Sequence, residues 1–334
     1  MDITLTIATG LNLSKSRVDA AVKLMDEGNT VPFIARYRKE VTGSLDDAQL
    51  RDISDKLTSL RNLEKRREEI AASIEAQGAM TPELTSAIAA ARTLTALEDL
   101  YQPYKKKRNT RATIAKEKGL EPLAALLFAQ SSPEAPLELA TAFVDEEKGV
   151  PGPEEALAGA RDIIAEDISD SAEVRGALRV LMQKTAVLTS KSEQTEPGVY
   201  SMYYDFSEGV GRIAGYRVLA IDRGEREGVL KVSIETDMEH ALSELEHLVL
   251  KAGRSPSIEV VREAAADSLK RLIYPSLENE LRGALTEAAD EQAIRVFGLN
   301  LKPLLMQPPV KGRATMGFDP AYRTGCKIAV VDEF

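Results

Sequence analysis

The sequence predicts a mainly α, multi-domain protein, and three observations carry that prediction. Ala, Leu, Glu and Arg are abundant, only 5% of the 334 residues are aromatic and Trp is absent; such straight side chains lose little rotamer freedom on a helix. Apolar residues recur at three- and four-residue spacing over long stretches. The length, with 43% hydrophobic content, exceeds what one core holds, since single cores stop growing near about 250–300 residues.

The elements follow in order. Val18, Val22 and Met25 sit at helical spacing after Ser14 and Ser16, and Gly28 supplies a left-handed stop. The stretch VPFIARYRKEVTGS, residues 31–44, mixes β-branched and aromatic residues and predicts irregular chain or a short helix. Asp46 with Gln49 forms a capping box. From there Leu50, Ile53, Leu57, Leu60, Leu63, Ile70 and Ile74 keep a narrow apolar stripe on a helix of about thirty residues ending at Gly78. Thr81-Pro82 starts another, with Pro in the first turn where its missing N–H costs nothing, and helical packing runs on to about Tyr101.

Beyond YQPYKKKRNTR, Ala115 and Gly119 precede Leu120 and Leu123, a small residue and then a turn glycine, as in a helix-turn-helix. An ordinary helical hairpin accepts the same residues. Helices are expected from Pro153 to Leu188. The runs Val218–Ile221 and Val229–Ile234, around Gly224 and Gly228, predict a β-hairpin. From Ser257 a stripe of Ile258, Val261, Ala265, Leu269 and Leu272 predicts one long helix, interrupted at Tyr274-Pro275. Leu277, Leu281, Leu285, Ile294, Phe297 and Leu301 carry a second to about Pro308. At Thr315 the chain turns β. The predicted organisation is a helical domain over 1–100, a helical region with a helix-turn-helix-like unit over 101–195, a β-hairpin insertion over 196–236, long helices over 237–312 and a terminal hairpin over 313–334.

Charge and composition exclude several function classes. One cysteine, Cys326, excludes an intrachain disulfide and a Cys-cluster zinc site. The N-terminus lacks the basic and apolar regions of a signal peptide, and no apolar run approaches the roughly 20 residues that span a bilayer, so a cytoplasmic location without membrane embedding is expected. The formal charge of -10 is unevenly spread: residues 1–111 hold 18 Lys/Arg against 16 Asp/Glu, whereas 117–174 hold 3 against 14. A polyanionic partner would have to meet local patches.

VPFIARYRKEVTGSLDDAQL, LEDLYQPYKKKRNTRATIAKEKGLEPLA, YRVLAIDRGEREGVLKVSIE, LTEAADEQAI and QPPVKGRATMGFDPAYRTGCKIAVVD together resemble the Tex family of bacterial transcription accessory proteins, in order along nearly the whole chain. The resemblance implies a helical N-terminal half, a YqgF-type RNase H-like domain, a helix-hairpin-helix unit and a C-terminal OB-fold RNA-binding domain. It also implies that residues 313–334 open a truncated YqgF-type domain, and that the chain is an N-terminal portion in which nucleic-acid binding is weak. An isolated two-stranded ribbon is marginal in water, so this terminal hairpin is expected to be poorly ordered or paired with another chain.

Catalysis is not expected. An RNase H-like nuclease needs several carboxylates converging on two metal ions. Asp319 occupies the place of the first and is at best vestigial, Asp332 suits a turn, and the resemblance implies no nuclease function, so membership of a nuclease is the least favoured reading. Ala321 stands where the family commonly has Gly. His240 and His247, seven residues apart, lie about 10 Å from one another on a helix, too far to share a metal. No phosphate-cradling glycine loop is present, and neither cofactor nor metal is expected.

The binding candidates are Tyr104, Lys105, Lys106, Lys107, Arg108, Arg111 and Lys116, with Tyr101 beside them: clustered cations gain affinity for phosphates by counterion release, and tyrosines stack on bases. The alternative is a linker whose bases neutralise the acidic 117–174 region. Arg36, Arg38 and Lys39, set among Phe33, Ile34 and Tyr37, are expected rather to form buried or interfacial salt bridges. The expected function is a non-enzymatic scaffold of the Tex type that binds RNA or DNA. Its alternative is a protein-interaction scaffold docking RNA polymerase or ribosome-associated partners.

Overall fold

A computed structural model describes residues 2–105, 107, 109–308, 311–320 and 325–334. The chain divides into two units, Met1–Met182 with Asp237–Leu277, and Gln183–Thr236 with Glu278–Phe334.

In the first unit, α1 (Ile3–Leu11), α2 (Lys15–Asp26) and α3 (Val31–Tyr37) pack on the N-terminal half of α4 (Asp47–Glu75). Their buried core includes Ile7, Val18, Leu24, Ile34, Leu45, Leu50, Ile53 and Leu57. The capping box is present as predicted: the Asp46 carboxylate accepts from the Gln49 N–H at 2.8 Å, and the Asp46 N–H donates to Gln49 Oε1 at 3.2 Å. The C-terminal half of α4 buries Leu63, Ile70 and Ile74 against Ile88 of α5 (Pro82–Ala90) and Leu97 of α6 (Leu94–Tyr101). One amphipathic stripe thus serves two small cores in succession.

The helix pair α7 (Arg111–Glu117) and α8 (Glu121–Ala129) turns at Gly119, whose φ of +84° favours glycine. With α9 (Pro136–Thr141), it packs around α10 (Pro153–Asp170). The approach is close because α10 carries Gly159: a Cβ there would lie 2.4 Å from Leu120 Cδ1 and 3.3 Å from the Ala115 Cβ. Ala115 and Leu120 are thus spaced to fit a glycine notch on α10.

Next come α11 (Ala172–Thr185), β1 (Val187–Lys191), β2 (Asp205–Gly209), α12 (Gly215–Arg226), β3 (Lys231–Glu235), α13 (Met238–Val249) and α14 (Ser257–Asp267). A π-helical turn, Ser268–Ile273, joins α14 to α15 (Tyr274–Leu305). In the second unit the strands form an antiparallel sheet in the order β2-β1-β3, with Leu188 opposite both Glu208 and Ile234. The edge of β3 is partly closed by Glu278, whose Oε1 accepts from the Ile234 N–H at 3.0 Å. Arg282 and Thr286 of α15 bind Asp222 of α12 at 2.8 and 2.7 Å.

Two sequence expectations are corrected here. Val218–Ile221 is not a strand but the middle of α12. Val218, Ile221 and Gly224 are buried at three-residue spacing, and Gly228, φ +73°, ends the helix by donating to the Glu225 carbonyl. Only the second predicted run forms a strand, and its partner β1 begins within the last two residues of the stretch expected to be helical. The break at Tyr274-Pro275 is likewise absent. Proline belongs in a first turn, and the preceding π turn lets the helix pass through it.

The strands β4 (Thr315–Asp319) and β5 (Lys327–Val331) pair with each other, Thr315 opposite Val331 and Asp319 opposite Lys327. All ten residues are exposed. The two strands thus pair with each other, both faces open, while Ala321 in their connection lies outside the described residues.

Within the first unit one buried carboxylate ties α6 to α11. Asp99 on α6 accepts from Arg175 Nε at 2.9 Å and pairs with Arg179 Nη1 at 2.8 Å, both on α11, and Arg175 also donates to Ser276 Oγ at 3.1 Å. Asp99 and Arg175 are only 7% and 8% exposed. Removing one member of a buried pair leaves uncompensated charge and costs about 3–5 kcal/mol. Urea denaturation of Asp99→Ala is expected to show a loss of that size, part of which a second change, Arg175→Met, restores. Gly159→Ala, despite the roughly 1 kcal/mol gained in helix propensity, is expected to lower stability by about 1–2 kcal/mol through overpacking against Leu120.

Candidate nucleic-acid interface

The basic segment selected from the sequence is folded onto carboxylates. Lys105 pairs with Glu98 at 2.8 Å. Lys107 reaches Asp170 at 2.7 Å and Glu166 at 3.5 Å, and Lys116 reaches Asp167 at 3.4 Å. The three acids Glu166, Asp167 and Asp170 lie in the last turn and a half of α10, so three of the predicted phosphate contacts sit in or beside an acidic cleft lined by Pro103, Thr113 and Ser171. Burial pushes the Asp167 and Asp170 carboxyls above their ordinary range, opposed by Lys116 and Lys107 respectively. For Glu98 burial acts upward, and the hydrogen bonds from Arg66 and Lys105 outweigh it, so its carboxyl lies below the usual value.

The tyrosines are also engaged. Tyr101 hydrogen-bonds Ser73 at 2.9 Å, with the Arg66 guanidinium 5.5 Å and the Lys105 ammonium 5.8 Å from its ring centroid. Tyr104 packs on the α4–α6 core. Arg111 is exposed and lines a cleft with Arg161, Asp162, Glu263 and Asp267. There burial raises the Asp162 carboxyl, and Arg111 and Arg271 pull it back. Lys106 and Arg108 lie outside the described residues.

The α7–α8 pair has helix-turn-helix connectivity, but the outward face of its second helix is Glu121, Pro122, Ala125, Leu126 and Phe128. Base edges are read chiefly by Arg, Lys, Asn and Gln, and this face offers none of them. The geometry matches the ordinary helical hairpin.

Arg36, Arg38 and Lys39 do not form the buried salt bridges that were one of the two expectations for them. All three are exposed, and among the described residues none forms an ion pair. The side chains lie instead around two exposed rings. Arg38 sits 5.1 Å from the Phe33 centroid and Arg36 5.9 Å from that of Tyr37, with the two ring centroids 5.2 Å apart and tilted by 47°. Phe33 is 36% and Tyr37 59% exposed. On the seven-residue α3, Ile34 is the buried anchor, and Phe33, Arg36 and Tyr37 fall on the open side. The signal was present in the sequence: this segment holds one acid, Glu40, whereas Lys105–Lys116 is followed by the acid-rich 117–174 stretch.

Asp319, at the end of β4, is exposed and faces Lys327 across the ribbon. His240 and His247 are exposed on α13. Among the described residues no group of three His, Cys, Asp or Glu side chains is arranged to hold a metal, and no helix is long and apolar enough to cross a membrane.

Comparison with known proteins gives two family matches, the Tex-like protein N-terminal domain over residues 1–75 and the Tex central region-like domain over residues 131–297. The transcriptional accessory protein Tex of Neisseria gonorrhoeae is 40% identical across the whole chain, and protein tex of Bordetella pertussis 41% identical over 98% of it; the chain covers 45% and 43% of these relatives. The human S1 RNA-binding domain-containing protein 1 is 31% identical over 93% of the chain, which covers 32% of that protein. The chain thus spans less than half the length of these relatives. With both family regions matched in order, the second alone covering half of its residues, the chain belongs to the Tex family.

Proposed function

We propose that this chain acts as a non-enzymatic, cytoplasmic nucleic-acid-binding scaffold of a transcription accessory protein. The observation that carries the reading is the exposed group Arg36, Arg38 and Lys39, three cations without a carboxylate partner among the described residues, beside two open rings. Unpaired cations release counterions from a phosphate backbone on contact, whereas paired ones must first break an existing ion pair. We therefore assign the contact to α3 and the turn after it rather than to Lys105, Lys107 and Lys116, which are paired with carboxylates. The names of the relatives, a transcriptional accessory protein and an S1 RNA-binding protein, agree with such a role.

A second reading, a scaffold that docks a protein of the transcription machinery, is favoured by the apolar outer face of α8, where Leu126 and Phe128 are exposed.

Fluorescence anisotropy with labelled oligonucleotides over a salt series tests the first reading. Binding is expected to weaken with salt. In the triple variant Arg36→Gln, Arg38→Gln, Lys39→Gln, the log–log slope should fall by about 0.7 to 0.9 per lost phosphate contact. Replacing Lys105, Lys107 and Lys116 by Gln is expected to change affinity by less than about twofold while lowering stability, because Asp170 and Glu166 lose their counter-charge. The assignment fails if this second triple variant abolishes binding and the first leaves it intact.

A further inference from the structure

The turn that follows α3 is built rigidly for so exposed a segment. Thr42 is fully buried; its N–H donates to the Arg38 carbonyl at 3.2 Å, and its hydroxyl lies 3.3 Å from the Arg38 and Lys39 carbonyls. The Ser44 N–H closes on the Lys39 carbonyl at 2.7 Å. From α2, Arg17 Nε donates to the Thr42 carbonyl at 3.3 Å. Its stem lies against Gly43, φ +63°, where a Cβ would come within 3.1 to 3.3 Å of it. The backbone bearing Arg38 and Lys39 is thus held from beneath by a buried threonine and a clamping arginine, while the charged tips stay in water.

That combination has a chemical meaning. Exposed aromatic surface is unfavourable in water, and Tyr37 keeps 59% of its surface open beside this braced turn. A ring with the Arg36 guanidinium 5.9 Å from its centroid, next in sequence to Arg38 and Lys39, offers a π face and phosphate partners at once. Duplex ends aside, only an unpaired base presents its face to such a ring, because bases within a duplex are stacked on their neighbours. Preorganisation lowers the ordering cost of the contact.

Resting on the nucleic-acid reading above, we propose that the face made by Phe33, Arg36, Tyr37, Arg38 and Lys39 is a binding site for single-stranded nucleic acid. An unpaired base stacks on Tyr37, and the flanking phosphates lie against Arg36, Arg38 and Lys39. Phe33 supports the platform from the side, under the Arg38 guanidinium. Glu40, exposed in the same turn, disfavours a second phosphate on its side and limits the site to a short footprint.

The test uses the whole chain with a labelled oligothymidylate, the same strand annealed to oligoadenylate, and an oligoglutamate peptide as competitor. The double variant Phe33→Leu, Tyr37→Leu keeps the charges and is expected to weaken single-strand binding about tenfold or more. Its salt slope should be unchanged, and duplex affinity should stay within about twofold. Tyr37→Phe, which keeps a ring, should retain binding. Circular dichroism and thermal midpoints should stay close to those of the parent, since Tyr37 is largely exposed and leucine keeps the partly covered Phe33 position apolar. Equal weakening for single strand and duplex, or none for either, overturns the stacking site and leaves nucleic-acid binding standing. Oligoglutamate competing as well as oligothymidylate overturns it in favour of an acidic protein partner. Absence of binding to either nucleic acid overturns both proposals.

Discussion

The buried carboxylate of Asp99 ties α6 to α11 in the first unit. Two guanidiniums from α11 converge on it, and one of them continues to Ser276 at the start of α15, so helices far apart in sequence share a single charge centre. A carboxylate this deep in the protein is tolerable only because it is paired and hydrogen-bonded. That requirement fixes how α6, α11 and the start of α15 sit with respect to each other more strictly than apolar packing does, since a hydrogen-bonded fork accepts few geometries.

The same constraint governs the more exposed charge. A chain with a strongly acidic middle and a basic segment just before it lowers its electrostatic energy by folding one onto the other, and Lys107 with Asp170, and Lys116 with Asp167, show the outcome. What remains available to a polyanion is what internal pairing leaves over. In the α3 turn Arg36 and Arg38 lie over rings instead of beside carboxylates.

Much of the fold was legible in local signals. The Asp46–Gln49 capping box, the α4 stripe and the stop at Gly78 are short-range features whose physics lies within a few residues, and they appear in place. The segment Val218–Ile221 misled because β-branched residues favour strands only as a weak preference. On α12 the burial of Val218, Ile221 and Gly224 against the rest of the second unit outweighed it. The helix through Tyr274-Pro275 was hidden for a different reason: whether a proline breaks a helix depends on where the turn begins, and the π turn ahead of it is not encoded in any spacing.

The sequence by itself determined the helical class, the first helices up to α6 and the family, because propensity, periodicity and long ordered motifs are properties of neighbouring residues. Which cations are free was decided by the tertiary structure alone. Lys107 meets Asp170 across 63 positions and Arg175 meets Asp99 across 76, and pairing over such separations follows from packing rather than composition. A basic run and a basic turn look alike on the page; they differ because the helices carrying carboxylates fold against one and leave the other in solvent.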